Sequence, residues 1–433
     1  MSDANHPRKN LVAWYLYDFG MASFTMVIVT AFYVVYFKHV VVGPEGRGDF
    51  LWGLAISATM VLVAVLSPVL GAVADYAGKK RIFLICFAGM AIVSTYALTA
   101  VGPGMVALGM LLFVTGYLGY TAAMPFYNGF LMEVAPRERW PRTSGIGWGL
   151  GYIGGLASLV MILPFAERGL ASAGASSAQA IFLLTGTFFL VFAMPAFILL
   201  RDAPPLCKGR LGGVEPAAPL STSPHPSLQR RGTSYLVIGF SRLAETFRTV
   251  REHRELWKFF LAFFLFNDAI TTVITFFSVY ARDTLNFSMA ENVFLLMAVQ
   301  VTAALGAFAS GYLARVTGIR NAIALTLVVW VLAVMGAFFA QAKAHFWVVA
   351  VVAGTVLGGT QAAARTLVAD LAPEEKKAEV FGFMAVCGKL AAIFGPLVFG
   401  AISSFAGNQR YAILSVEFFF VAGLAVLMTV RHR

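Results

Sequence analysis

Charge is scarce in this chain. Asp, Glu, Lys and Arg make up 12% of it against 59% hydrophobic residues, and mean hydropathy is +0.79. A soluble domain needs a charged, mixed surface, which this composition cannot supply. Cysteine is scarcer still. Cys86 and Cys387 fall in apolar runs and Cys207 in a polar stretch, so neither a disulfide framework nor a metal site is indicated. The six histidines (His6, His39, His225, His253, His345 and His432) lie in tails, loops or the ends of apolar runs. None is placed to form a triad with a buried Ser or Cys, and no P-loop is present. Catalysis and nucleotide-driven pumping are therefore not expected, and no cofactor or metal is called for.

Long apolar runs are abundant. Runs beyond twenty residues satisfy their backbone inside a bilayer only as helices, whereas a barrel would show segments of about ten residues with alternating polarity. Spans are expected at 11–37, 51–74, 82–101, 105–131, 143–165, 178–200, 256–281, 291–314, 321–341, 345–368, 380–403 and 409–430. The first is too long for a signal peptide and lacks a small-residue cleavage site. The reading is an all-α membrane protein: an N-terminal six-helix half (1–200), a linker (201–255) and a C-terminal six-helix half (256–433). Within the linker, "PPLCKGRLGGVEPAAPLSTSPHPSLQRRG" has no period and little to bury, which predicts disorder. "FSRLAETFRTVREHRELW" then predicts an amphipathic helix lying on the membrane surface.

The net charge of +11 suggests a nucleic-acid partner only until the charges are placed. One set of loops holds Lys38, Arg47, Arg168, Arg282, Lys343 and Arg410; apart from Lys389, inside a span, the remaining Lys and Arg lie on the side of the termini. That bias puts both termini in the cytoplasm and makes the chain a multi-pass protein of the cell (inner) membrane, with the bilayer rather than nucleic acid as partner.

The halves repeat. "NGFLMEVAP" (128–136) aligns with "RTLVADLAP" (365–373) at an offset that also pairs Gly145 with Gly382 and Gly151 with Gly388. "GAVADYAGKKR" (71–81) aligns with "GYLARVTGIRN" (311–321) at nearly the same offset. Parallel six-span repeats predict alternating access around a site between the halves. "GLGYIG" (149–154) formally matches a dinucleotide fingerprint, but it lies in an apolar run with no preceding strand and reads as a helix-packing face.

"GAVADYAGKKR" resembles the loop signature of the major facilitator superfamily, between the second and third spans. The resemblance implies that Gly71 permits close helix packing, that Asp75 caps a neighbouring helix and pairs with a basic residue, and that Gly78, Lys79, Lys80 and Arg81 complete the turn. In the second half Arg315 replaces the aspartate. "AWYLYDFGMASF" (13–24), "FYNGFL" (126–131), "SGIGWGLGYIGG" (144–155) and "AARTLVADLAPEEKKAEVFGFMAVCGKLAAIFGP" (363–396) together resemble permeases related to the autophagy-associated vacuolar amino-acid effluxers. Gly20 and Met21 stand where that family carries asparagine and serine.

Polar residues inside spans are the candidates for transport. A lone carboxylate facing lipid costs about 2.5–3.5 kcal/mol. Asp268 lies near the middle of "FLFNDAITTV", about 18 Å deep, Lys389 about 14 Å deep, and Asp18 about 10 Å from the termini side. Asp268 and Lys389 could meet, either as a packing pair or around the cavity. Glu417 is a fourth charge, ranked lower because its span is peripheral in the superfamily. Arg365 is a candidate for a substrate carboxylate or a gate. The superfamily arrangement puts the first, fourth, seventh and tenth spans on the cavity and so recruits Asn128, Asn267 and Gln361. The expectation is a monomeric secondary transporter for a small polar solute, amino acids favoured by resemblance, with proton coupling left open. Drug or sugar export and a non-transporting sensor remain the alternatives.

Overall fold

In the computed structural model, residues 6–44, 47–76, 79–136, 139–170, 175–202, 235–373 and 376–431 are described, and among them every regular element is helical. Twelve helical segments are long and apolar enough to cross a bilayer. These are α1 (Lys9–Val42), α2 (Gly48–Tyr76), α3 (Lys80–Ala97), α4 (Val106–Gly129), α5 (Trp140–Ala166) and α6 (Ala175–Leu199), followed by α7 (Arg254–Leu285) and α8 (Met289–Thr317). Then come α9 (Ile319–Phe339), α10 (Lys343–Leu371), α11 in two pieces (Lys377–Ala391 and Phe394–Ala406), and α12 (Gln409–Met428). The expected disordered stretch falls on 203–234, outside the described residues.

An even number of spans brings both ends of the chain to one end of the bundle, here the terminal end; the opposite one is the far end. The first six spans pack chiefly on one another, as do the last six. The two groups meet where α2 runs along α11, α5 along α8, and α1 against α7. The glycine run in α5 serves the packing expected of it. A Cβ on Gly154 would lie 2.0 Å from the Phe19 carbonyl oxygen of α1, so only glycine admits that approach.

Helix ends follow their local chemistry. Ser288 and Glu291 form a reciprocal capping box that starts α8, and Asn286 closes α7 in the left-handed region at φ 56°. Gly318, at φ 83°, is the single residue between α8 and α9. Two spans depart from a regular helix. Within α1, Phe24–Ala31 and Phe37–Val42 are π-helical. In α11 the ladder stops at Ala392 and Ile393, just before Gly395 and Pro396. Proline has no N–H to donate and crowds the preceding turn, which accounts for the break.

The amphipathic helix forms over Tyr235–Glu252, directly before α7. Among its described side chains, Phe247 packs edge-on to Trp257 of α7 and against Phe383 of α11, Val250 is fully buried, and the helix also packs on α2. Lys376 donates to Thr249 Oγ1 at 2.9 Å and ties it down. The helix therefore spans from the second half to the first at the terminal end.

Candidate functional site

In the first half the site is built on α1, α4 and α5. Trp14 donates from Nε1 to the Tyr127 carbonyl at 3.0 Å and stacks on the Tyr127 ring at 4.7 Å, with Tyr17 on the same ring at 4.9 Å. This clamp buries Asp18 one turn above Trp14. The carboxylate faces α5 where glycines leave it room: a Cβ on Gly147 would lie 3.2 Å from Oδ2, and one on Gly151 3.7 Å from Oδ1. The Tyr127 hydroxyl faces Asp18 but has no partner at hydrogen-bond geometry. Among the described residues no cation lies within 4.0 Å of Asp18. A buried carboxylate and a buried hydroxyl thus face a small space without an ionic partner. Asn128, on the next residue of α4, is exposed near the terminal end.

In the second half Asn267 joins three helices. Its Nδ2 donates to the Gly388 carbonyl of α11 at 3.2 Å, and its Oδ1 accepts from Gln361 Nε2 of α10 at 3.2 Å. Asp268 and Lys389 do not form the pair that the sequence allowed. Asp268 is fully buried, its Oδ1 accepts from the Gly395 backbone at 2.8 Å, and its Oδ2 is unpaired. No carboxylate lies within 4.0 Å of Lys389 among the described residues. The broken helix explains both positions. Asp268 satisfies an orphan N–H at the start of the second piece of α11, while Lys389 sits in the last turn of the first piece, each at the helix end whose dipole favours its charge.

Arg365 of α10 crosses to the first half, with its guanidinium 4.5 Å from the ring centre of Trp148 of α5. Both side chains are exposed. Arg365 lies six residues before the end of α10, so this stack joins the two halves near the terminal end. Gln300 of α8 reaches the same seam further along, beside Gly155 of α5.

Of the expected gate motif, Gly78 and the side chains at Gly71 and Asp75 lie outside the described residues. Lys79 is exposed. Lys80 pairs with Glu133 at 3.0 Å, and Arg81 bonds the end of α6 at the same terminal end, through its N–H to Asp202 at 2.9 Å and its Nε to the Phe197 carbonyl at 2.7 Å. The basic run thus ties together helix ends of its own half. Glu133 was not singled out from sequence.

The far end carries a cluster that sequence reasoning missed altogether. Lys38 of α1 pairs with Asp49 of α2 at 2.6 Å and crosses to Asp283 of α7 at 2.5 Å. His39 stands 2.8 Å from the same Asp283. Asp49 in turn accepts from Ser403 and from Gln409 Nε2, the latter at 2.9 Å. The Phe50 N–H donates to Ser404 Oγ at 3.0 Å, Ser57 donates to the Ile393 carbonyl at 2.6 Å, and Glu167 accepts from the Ala290 N–H at 2.8 Å. All of these except the Lys38–Asp49 pair join one half to the other. The available signal was opposite charge at matched depth, in the last turns of the first and seventh spans and the first turn of the second.

With this geometry in hand, comparison with known proteins gives a consistent result. Residues 133–433 match the family described as vacuole effluxer Atg22 like, and residues 3–159 match the major facilitator superfamily. An MFS-type transporter of Bacillus subtilis, YxiO, is 29% identical over 97% of this chain and 94% of its own length. Autophagy-related protein 22 of Yarrowia lipolytica is 27% identical over 63% of this chain; the chain spans about half of that relative, 47% of its length. Among solved structures, the nucleoside transporter NupG superposes with a TM-score of 0.72 at 12% identity, covering 99% of this chain and 100% of the other. A bacterial homologue of the human lysosomal transporter Spinster gives 0.71 at 14% identity, covering 99% and 98%. At such identities the likeness establishes the fold alone.

Proposed function

Because the chain belongs to the vacuole effluxer Atg22 like family within the major facilitator superfamily, and is a membrane transporter by fold and family, we propose that it carries a small polar solute by alternating access around the cleft between its halves. The observation that carries the reading is Arg365, exposed inside a span and crossing to Trp148 at the terminal end while ion pairs bind the halves at the far end. This is the state closed at the far end. The Lys and Arg bias supports a cytoplasmic terminal end, with both termini, for a protein of the cell membrane, taken to act as a monomer. The reading assigns the solute's opposite charges to Asp18, an unpaired carboxylate of the first half, and to Arg365 and Lys389 of the second. That division of charge suits an amino acid or a related zwitterion, whose ammonium and carboxylate need opposite partners. Counterflow in proteoliposomes checks the class: labelled amino acids should exchange, and exchange of sugars or hydrophobic drugs in their place would reverse the assignment. Absence of exchange for every class would favour a sensor.

Proton coupling is proposed at Asp268. In the present state it is apart from Lys389 and caps the second piece of α11; coupling would require a conformation in which the two pieces of α11 shift against α7 and change the partners of the carboxylate, so that it binds a proton in one state and releases it in the other. The static alternative also has an observation behind it, because Asp268 caps the second piece of α11 through Gly395. Asp268→Asn separates them, since an amide oxygen still accepts from Gly395 but does not titrate. The expected outcome is loss of pH-driven accumulation with counterflow retained. Retention of both would assign Asp268 to the cap it makes on α11 and move the coupling site elsewhere.

A further inference from the structure

At the terminal end a cavity of about 600 Å³ opens where the last turn of α12 meets the starts of α7 and α9. Four cations line it, Arg254 and Lys258 of α7, Arg320 of α9 and Arg431 after α12, against one carboxylate, Glu255. Part of this charge serves the fold. The end of α12 leaves carbonyls without helical partners; Arg320 donates to that of Met428 at 2.6 Å and Lys258 to that of Thr429 at 3.0 Å. Glu255 accepts from Lys258 at 2.8 Å and from the Arg431 backbone at 2.5 Å.

Not all of the charge is used in this way. Among the described residues, the exposed guanidinium groups of Arg254 and Arg431 have no hydrogen-bonded protein acceptor, and Arg320 Nε is buried without a partner. Arg254 and Arg431, together with the buried Nε of Arg320, thus line the cavity with donors left over after the end of α12 is capped. The cavity lies at the ends of three spans, which is headgroup depth, and the neighbouring Trp257 of α7 is partly exposed, as interfacial tryptophans are. The cations give way to bare apolar surface toward the bilayer. Leu261, one turn beyond Lys258 on the same helix face, and Met428 are both exposed.

We propose that this cavity binds the phosphate headgroup of an anionic phospholipid from the leaflet on the terminal side. Arginine forks fit phosphate oxygens bidentately, and basic pockets between spans at this depth hold anionic headgroups. The apolar track past Leu261 and Met428 takes the acyl chain, which a soluble phosphate ester lacks. Occupancy would clasp α7, α9 and α12 together and so brace the second half as one body.

The test uses the purified full-length protein, with lipid retention read by native mass spectrometry and melting by scanning fluorimetry. The arms are phosphatidylglycerol or cardiolipin, phosphatidylcholine, inorganic phosphate and glycerol phosphate. Anionic lipid should be retained and raise Tm, and phosphatidylcholine and the soluble phosphates should do neither. Arg254→Gln/Arg431→Gln spares the contacts that cap α12, so it should melt normally in phosphatidylcholine and retain anionic lipid roughly thirtyfold more weakly. If the double variant does not fold, Arg254→Gln alone should show part of the same loss. Equal retention by wild type and variants would overturn the site, and an equal Tm rise with soluble phosphate would overturn the lipid assignment.

Discussion

At Gly53 the halves approach so closely that a Cβ would lie 2.2 Å from the Pro396 carbonyl oxygen. Around it hydroxyls bond backbone across the same seam, Ser57 to the Ile393 carbonyl and the Phe50 N–H to Ser404, and Lys38 pairs with Asp283. Closure at the far end therefore rests on a close approach at Gly53 framed by hydrogen bonds, with ion pairs at its rim. Gly53→Leu should act on this contact before anything else, at a cost of about 1–3 kcal/mol for overpacking, charged only to the closed state. The population would move toward a far-end-open form. A single cysteine at Ser57, buried in the closed state, reports it: maleimide labelling from the far side should rise several-fold in the Gly53→Leu background. Labelling at the wild-type rate would show that the contact does not hold the halves shut.

Elements were legible to different degrees, for physical reasons. The spans were read within a few residues because apolar length is a direct consequence of bilayer thickness. The α11 break was available in "IFGP" (393–396) but drowned in an otherwise unbroken apolar run. Its consequence, the Gly395 N–H reaching Asp268, depends on a neighbour 127 positions away. The linker helix shows a different limit. Its amphipathic period was read correctly, but period alone does not say whether the apolar side meets lipid or protein. Phe247 and Val250 meet protein. Val250→Asp should accordingly cost about 2–4 kcal/mol at that docking site, since an unpaired carboxylate would be buried. The helix would detach while the spans stay inserted. Limited proteolysis checks this: cleavage near Arg248 and Arg251 should accelerate in the variant. An unchanged cleavage pattern would mean that the docked face contributes little.

For the whole molecule, alternating access requires that the far-end cluster break and re-form in each cycle, because a cleft open on one side must close there before it opens on the other. Residues 38, 39, 49, 283, 403 and 409 were not assembled from sequence, since opposite charge at matched depth does not by itself say that three loop regions converge. By contrast, Asn267 and Gln361 were recruited from the superfamily arrangement and do meet. The cluster's role in the cycle can be tested by making it permanent. The Phe50 N–H lies 3.0 Å from Ser404 Oγ, so the two Cα atoms are within about 7 Å, the outer reach of a disulfide. Phe50→Cys/Ser404→Cys is built in a background with Cys86, Cys207 and Cys387 replaced by Ala. When oxidised, it should hold the far end closed and stop transport across the membrane. Solute binding from the terminal side should persist, because the cleft there is untouched. Reduction with dithiothreitol should restore turnover to the level of the uncrosslinked variant. Full turnover in completely cross-linked protein would mean that solute crosses without parting the halves at α2 and α11, and alternating access around this cleft would then fail for this chain.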